Sequence, residues 1–110
     1  MPRILTALLT LVIGIAALMP STGGHSALLG LDKVAHLLAF AGLVIPMTLA
    51  QPRRWPLIFA LALAYGGLIE IVQPSVGRSA EWADFAADGL GAAMGIGLAL
   101  SLRRRLTNFR

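Results

Sequence analysis

The sequence predicts an all-α membrane protein, a four-transmembrane-helix bundle with N and C termini in the cytoplasm. Three observations predict it. The chain contains four apolar runs, at residues 4–19, 34–50, 55–72 and 85–102. Apolar types make up 57% of its residues and charged types 13%, where about 25% charged is usual for a globular domain. Its arginines gather at alternate ends of the runs. A soluble chain of 110 residues has too little interior to hide this much Leu, Ala, Ile and Val; lipid removes the problem. The length suits one domain, 1–110.

The spans are expected at about 4–20, 33–50, 55–73 and 83–102. Runs this long fall slightly short of the ~30 Å hydrocarbon core as helices. Flanking residues must extend them, or the bilayer must thin. Trp55 and Trp82 stand at span ends, where an amphipathic indole is favoured. Pro20 with Ser21-Thr22-Gly23-Gly24 ends the first run. Gln51-Pro52-Arg53-Arg54 makes a tight turn, and Gln73-Pro74-Ser75-Val76-Gly77-Arg78 ends the third run. Pro46 is expected to kink the second span, a distortion that neighbouring helices make tolerable.

Orientation follows from Lys and Arg. Arg3, Arg53, Arg54, Arg103, Arg104, Arg105 and Arg110 lie on one side of the four-span arrangement, and only Lys33 and Arg78 on the other. The positive-inside rule puts the first group in the cytoplasm. In a second reading, Arg3 and the first run form a cleaved signal peptide. Three spans would then remain, with the tail still inside. The weak cleavage site at Thr22-Gly23-Gly24 favours retention.

The net charge of +4 is no sign of nucleic-acid binding. The arginines flank apolar runs, where they meet headgroups, and no basic stripe interleaved with aromatics occurs. The absence of cysteine excludes disulfides, thiolate metal sites and a Cys nucleophile.

All five acidic residues fall on the outer side: Asp32, Glu70, Glu81, Asp84 and Asp88. Asp32 and His36 share a helix face at i,i+4, as do Asp84 and Asp88; Glu70 and Gln73 share one at i,i+3. An unpaired Asp at the centre of a span costs about 2.5–3.5 kcal/mol, less near the interface. Arg78, Lys33, a protonated His36, a metal ion or a proton would each offset this. Each residue also has a plainer role. Asp32 and Asp84 suit helix caps, His36 suits packing, and Lys33 and Glu81 suit interfacial charges, with Lys33 serving Asp32. Glu70, Arg78 and Asp88 are hardest to explain that way, because intramembrane ionisable groups are rare without a network. They are expected to form one network at the outer mouth, with Asp84 and His36 within reach. Gly91-Ala92-Ala93-Met94-Gly95 is a GxxxG match, and Gly66-Gly67 lies in span three. Close packing of spans three and four is therefore expected, bringing Glu70 beside Asp88. The Gly91/Gly95 face is also a candidate homo-oligomer contact. Asp32-Lys33-Val34-Ala35-His36 and Asp84-Phe85-Ala86-Ala87-Asp88 form a faint echo between the two halves.

These residues resemble the VanZ-like family. The likeness covers roughly 30–102. It rests on Asp32-Lys33-x-x-His36 opening a span, Glu70-x-x-Gln73 closing one, then Gly77-Arg78-Ser79 and Asp84-x-x-x-Asp88-x-x-Gly91. The family often has Asn at the position of Asp88, where an acid adds a negative charge. The resemblance implies a polytopic bacterial envelope protein in the cytoplasmic (inner) membrane. It carries no settled biochemical activity. The founding member is associated with teicoplanin resistance, a role that does not transfer to most members.

The leading expectation is a non-enzymatic membrane protein that binds a lipid-linked precursor or headgroup at its outer face. The binding set is Asp32, His36, Glu70, Gln73, Arg78, Asp84 and Asp88, with membrane lipids as partners. No catalytic residue and no cofactor is assigned, and metal binding stays open. One alternative is a metal- or acid/base-dependent enzyme acting on a lipid-linked substrate through Glu70, Asp84, Asp88 and His36. Another is a small ion- or proton-coupled transporter subunit using Glu70 and Asp88.

Overall fold

A computed structural model describes residues 1–18, 31–72 and 82–108. They form four α-helices: α1 (Pro2–Leu18), α2 (Leu31–Ala50), α3 (Trp55–Val72) and α4 (Trp82–Asn108). Three contain stretches long and apolar enough to cross a membrane: Lys33–Ala50, Pro52–Val72 and Trp82–Leu106. The 17-residue α1 is apolar but shorter. The helix α4 continues beyond the expected end near Leu102 and carries Arg103, Arg104 and Arg105 on its last turns. Arginine is a good helix former, and its charge favours a helix C-terminus.

The turn between α2 and α3 is set by proline. Gln51 precedes Pro52, and a residue in that position is driven out of the helical region. Its backbone stands at φ −136°, ψ 69°, and Pro52–Arg54 forms a single 3-10 turn before α3 begins. Farther back, α2 runs through Pro46. That residue removes the bond its N–H would give to the carbonyl of Gly42. Thr48, fully buried, donates back to the Val44 carbonyl at 2.7 Å in the same stretch.

The tightest helix pair is α2 with α4. Gly91 and Gly95 make it possible. A Cβ on Gly91 would run into the backbone of Leu37, and one on Gly95 into Ala41 and Val44. The small-residue motif thus packs within the chain, against α2 rather than α3. A second copy of the chain would have to use another face. Phe40, Leu43 and Val44 of α2, Ala62 and Ile69 of α3, and Ala92 and Ile96 of α4 build the core, with Ala17 of α1. The outward faces are also apolar: Leu8, Leu11, Leu38, Leu61, Leu68, Leu90 and Leu98 are all more than half exposed. Lipid accommodates such a surface; water does not. The helix α1 is tied in by Tyr65 of α3, whose hydroxyl donates to the Thr10 carbonyl. Only a glycine at position 14 leaves room, since a Cβ there would stand 2.6 Å from the Tyr65 oxygen.

Candidate functional site at the polar end of the bundle

One end of the bundle is formed by the start of α2, the end of α3 and the start of α4. The helices bring His36, Glu70, Asp84 and Asp88 together there. Asp88 is fully buried, Glu70 is 2% exposed and Asp84 4% exposed. Burial this deep is unusual for carboxylates and requires partners.

The geometry supplies several. His36 Nδ1 and Asp88 Oδ1 stand 2.6 Å apart, a short hydrogen bond with one proton between them. This distance is slightly below the roughly 2.7–2.9 Å usual for charge-assisted N–H···O pairs. The other ring nitrogen of His36 lies 3.9 Å from Asp84 Oδ2. Lys33 Nζ approaches Asp84 Oδ1 at 3.5 Å. Lys33, expected to serve Asp32, therefore reaches across to α4. The second oxygen of Asp88 has no hydrogen-bond partner among the described residues. It lies against α3 at Gly66, where an added Cβ would stand 2.9 Å from it. Gly66 and Glu70 are i,i+4 and share a face. Asp88 thus spans from His36 on α2 to the Glu70 face of α3. One donor atom from each of His36, Glu70 and Asp88 lies within 4.8 Å of the other two.

Helix termini add a fixed field. Asp84 lies in the first turn of α4, where the partial positive charge favours an acid. It is inside the turn rather than at the cap. Glu70 lies two residues before the end of α3 at Val72, where the partial negative charge opposes an acid. Of these carboxylates, Glu70 gains most from a nearby cation.

The placement of the sequence-derived residues divides in three. His36, Glu70, Asp84 and Asp88 converge. Asp32 lies in the first turn of α2. Gln73, Arg78 and Glu81 lie outside the described residues. The sequence named His36 and Lys33 only among several groups that could offset these acids, and it did not single out the pairing of His36 with Asp88 or of Lys33 with Asp84. The Asp32/His36 and Asp84/Asp88 spacings placed all four on plausible faces, but spacing alone does not say which faces meet.

The opposite end is chemically plain. Arg103 donates to the Leu49 carbonyl at 2.5 Å. Above it, a cavity of about 420 Å³ is lined by apolar residues of α2 and α3, with Thr6, Thr10, Gln51, Arg54 and Tyr65.

Comparison with curated proteins and with solved structures returned no match. The VanZ/LLP1 family model matches residues 4–103, from the first turn of α1 into the arginine-bearing part of α4. The chain belongs to the VanZ/LLP1 family.

Proposed function

We propose that this is a single-domain, four-span protein of the bacterial cytoplasmic membrane, with both ends inside. Its buried polar cluster then faces outward and binds the polar head of a lipid-linked envelope ligand without catalysis. One observation carries the reading: three helices bury His36, Glu70, Asp84 and Asp88 at a single end of an otherwise apolar bundle. Keeping such groups in lipid is costly, and a role in recognising a polar ligand would explain their presence. The arginines at the other end, Arg53, Arg54, Arg103, Arg104 and Arg105, are exposed and support the inside assignment. In this reading Arg78 pairs a phosphate, Gln73 hydrogen-bonds a sugar or headgroup, and Asp32 frames the mouth.

The test is lipid retention. Full-length protein extracted in mild detergent should carry a lipid-linked envelope species detectable by mass spectrometry. The Arg78→Ala variant should lose it while remaining folded. Equal retention by the variant would remove the reading. A second reading, acid/base catalysis on the same substrate class, is favoured by the short His36–Asp88 pair beside Glu70. Turnover of the retained lipid that stops in Glu70→Gln would select it.

A further inference from the structure

We infer that His36, Glu70 and Asp88 form a site for a first-row divalent cation, Zn²⁺ or Mn²⁺, bound between α2, α3 and α4. This goes beyond the headgroup reading and does not depend on it.

The argument starts with donor chemistry. One imidazole and two carboxylates are hard-to-intermediate ligands. They suit zinc or manganese and leave further positions open for water or a bound oxygen. Their placement is already close. The three donor atoms lie within 4.8 Å of one another. In a tetrahedral site two donors about 2.1 Å from the ion stand about 3.4 Å apart. The widest of the three separations therefore has to close by up to about 1.4 Å, within the reach of side-chain rotation.

Charge gives a second, independent argument. Glu70 and Asp88 are each at most 2% exposed. With a neutral imidazole, two ionised carboxylates bring a charge of −2 to the three ligands, and a divalent ion offsets it. A proton on His36 cancels only half. Lys33 is directed to Asp84 at 3.5 Å, outside the three ligands. Glu70 also stands at the unfavourable end of its helix dipole, which a cation beside it reverses.

The third argument is the second oxygen of Asp88. It is buried without a hydrogen-bond donor among the described residues, on the side of Asp88 that faces α3. Asp88 therefore holds acceptor capacity in reserve towards the helix that carries Glu70. A metal at Nδ1 takes the place of the proton shared with Asp88, and in the neutral imidazole that proton moves to Nε2, the nitrogen facing Asp84; protons compete with the ion for all three ligands. Affinity therefore falls on acidification.

The experiment uses the full chain, purified in detergent and stripped with chelator. Zn²⁺ and Mn²⁺ are each titrated calorimetrically, with Mg²⁺ as the comparison ion. About one equivalent of Zn²⁺ or Mn²⁺ should bind per chain, more weakly at acid than at neutral pH. Glu70→Gln and Asp88→Asn should each weaken binding at least tenfold. Lys33→Ala, outside the three ligands, should retain it. Monodisperse elution and helical circular dichroism identify the variants that remain folded. No saturable uptake of either ion by the unmodified chain overturns the site, and that measurement needs no variant to fold. Undiminished binding by folded Glu70→Gln and Asp88→Asn overturns it as well. Metal uptake and lipid retention are read separately, so failure here leaves the headgroup reading standing, and the reverse also holds.

Discussion

The two ends of the bundle handle charge in opposite ways. At the end where α2 and α4 begin, ionisable groups are buried between helices and paired across them. His36 of α2 meets Asp88 of α4 at 2.6 Å, and Lys33 of α2 meets Asp84 of α4 at 3.5 Å. At the other end the arginines are exposed, and Arg103 donates to the backbone carbonyl of Leu49. Exposed basic groups at a helix end cost little and fix orientation. Buried acids cost much and fix the mutual rotation of helices, because removing one partner strands the other. The polar end is therefore the part of the molecule where sequence change should be least tolerated.

The largest effect should follow from breaking that pairing. Asp88→Ala leaves His36 without its short partner, and loss of one member of a buried pair costs about 3–5 kcal/mol. Thermal unfolding of the purified protein should show the drop. Replacing both partners with apolar residues, His36→Leu with Asp88→Leu, should recover most of it. A double variant as unstable as the two single changes added together would mean that the pair is not coupled.

A smaller effect tests the backbone contact that brings the two ends of the pair together. Gly91→Ala places a Cβ against the backbone of Leu37. A backbone cannot rotate away as a side chain can, so α2 and α4 must separate. Overpacking of this kind costs about 1–3 kcal/mol. Gly97→Ala, on the same helix, meets nothing within 4 Å. It should be neutral or stabilising by up to about 1 kcal/mol, because alanine restricts the unfolded chain. Equal destabilisation by both changes would mean that α4 does not pack on α2 through Gly91.

These contacts also mark where sequence reasoning reaches its limit. The long helices were legible because hydropathy is a local property, and Pro52 and Gln51 set the α2–α3 turn through local sterics. The gathering of acids at one end was legible too, since it requires only that helices alternate in direction. The proximity of Glu70 to Asp88 followed from the expectation that spans three and four pack. The partner of the Gly91/Gly95 motif was not legible, because a small-residue face says that something packs closely without saying what. The His36–Asp88 pair needed that missing information. Once α4 lies on α2 through Gly91, Asp88 falls three residues, almost one turn, before the contact and meets α2 at His36. Tyr65 left one signal, the single tyrosine of the chain within an apolar span. A buried hydroxyl needs an acceptor, yet nothing local pointed to Thr10.

The smallest stability effect should come from the arginine end. Arg103 is exposed, and its bond to the Leu49 carbonyl competes with water on both partners. Removing it as Arg103→Ala should change thermal stability by no more than about 0.5 kcal/mol, the range usual for exposed substitutions. Orientation should also survive, because Arg53, Arg54, Arg104 and Arg105 keep the charge bias on that side. The background for reading orientation is clean, since the chain has no cysteine. In cells, an impermeant thiol reagent should label Ser26→Cys and Ser79→Cys but neither Gln51→Cys nor Thr107→Cys. The pattern should be the same with and without Arg103→Ala. Labelling at position 51 but not at 79 would invert the bundle and put the buried acids on the cytoplasmic side. A loss of several kcal/mol in Arg103→Ala would show that this end, too, holds the helices together through charge, and the contrast between the two ends would fail.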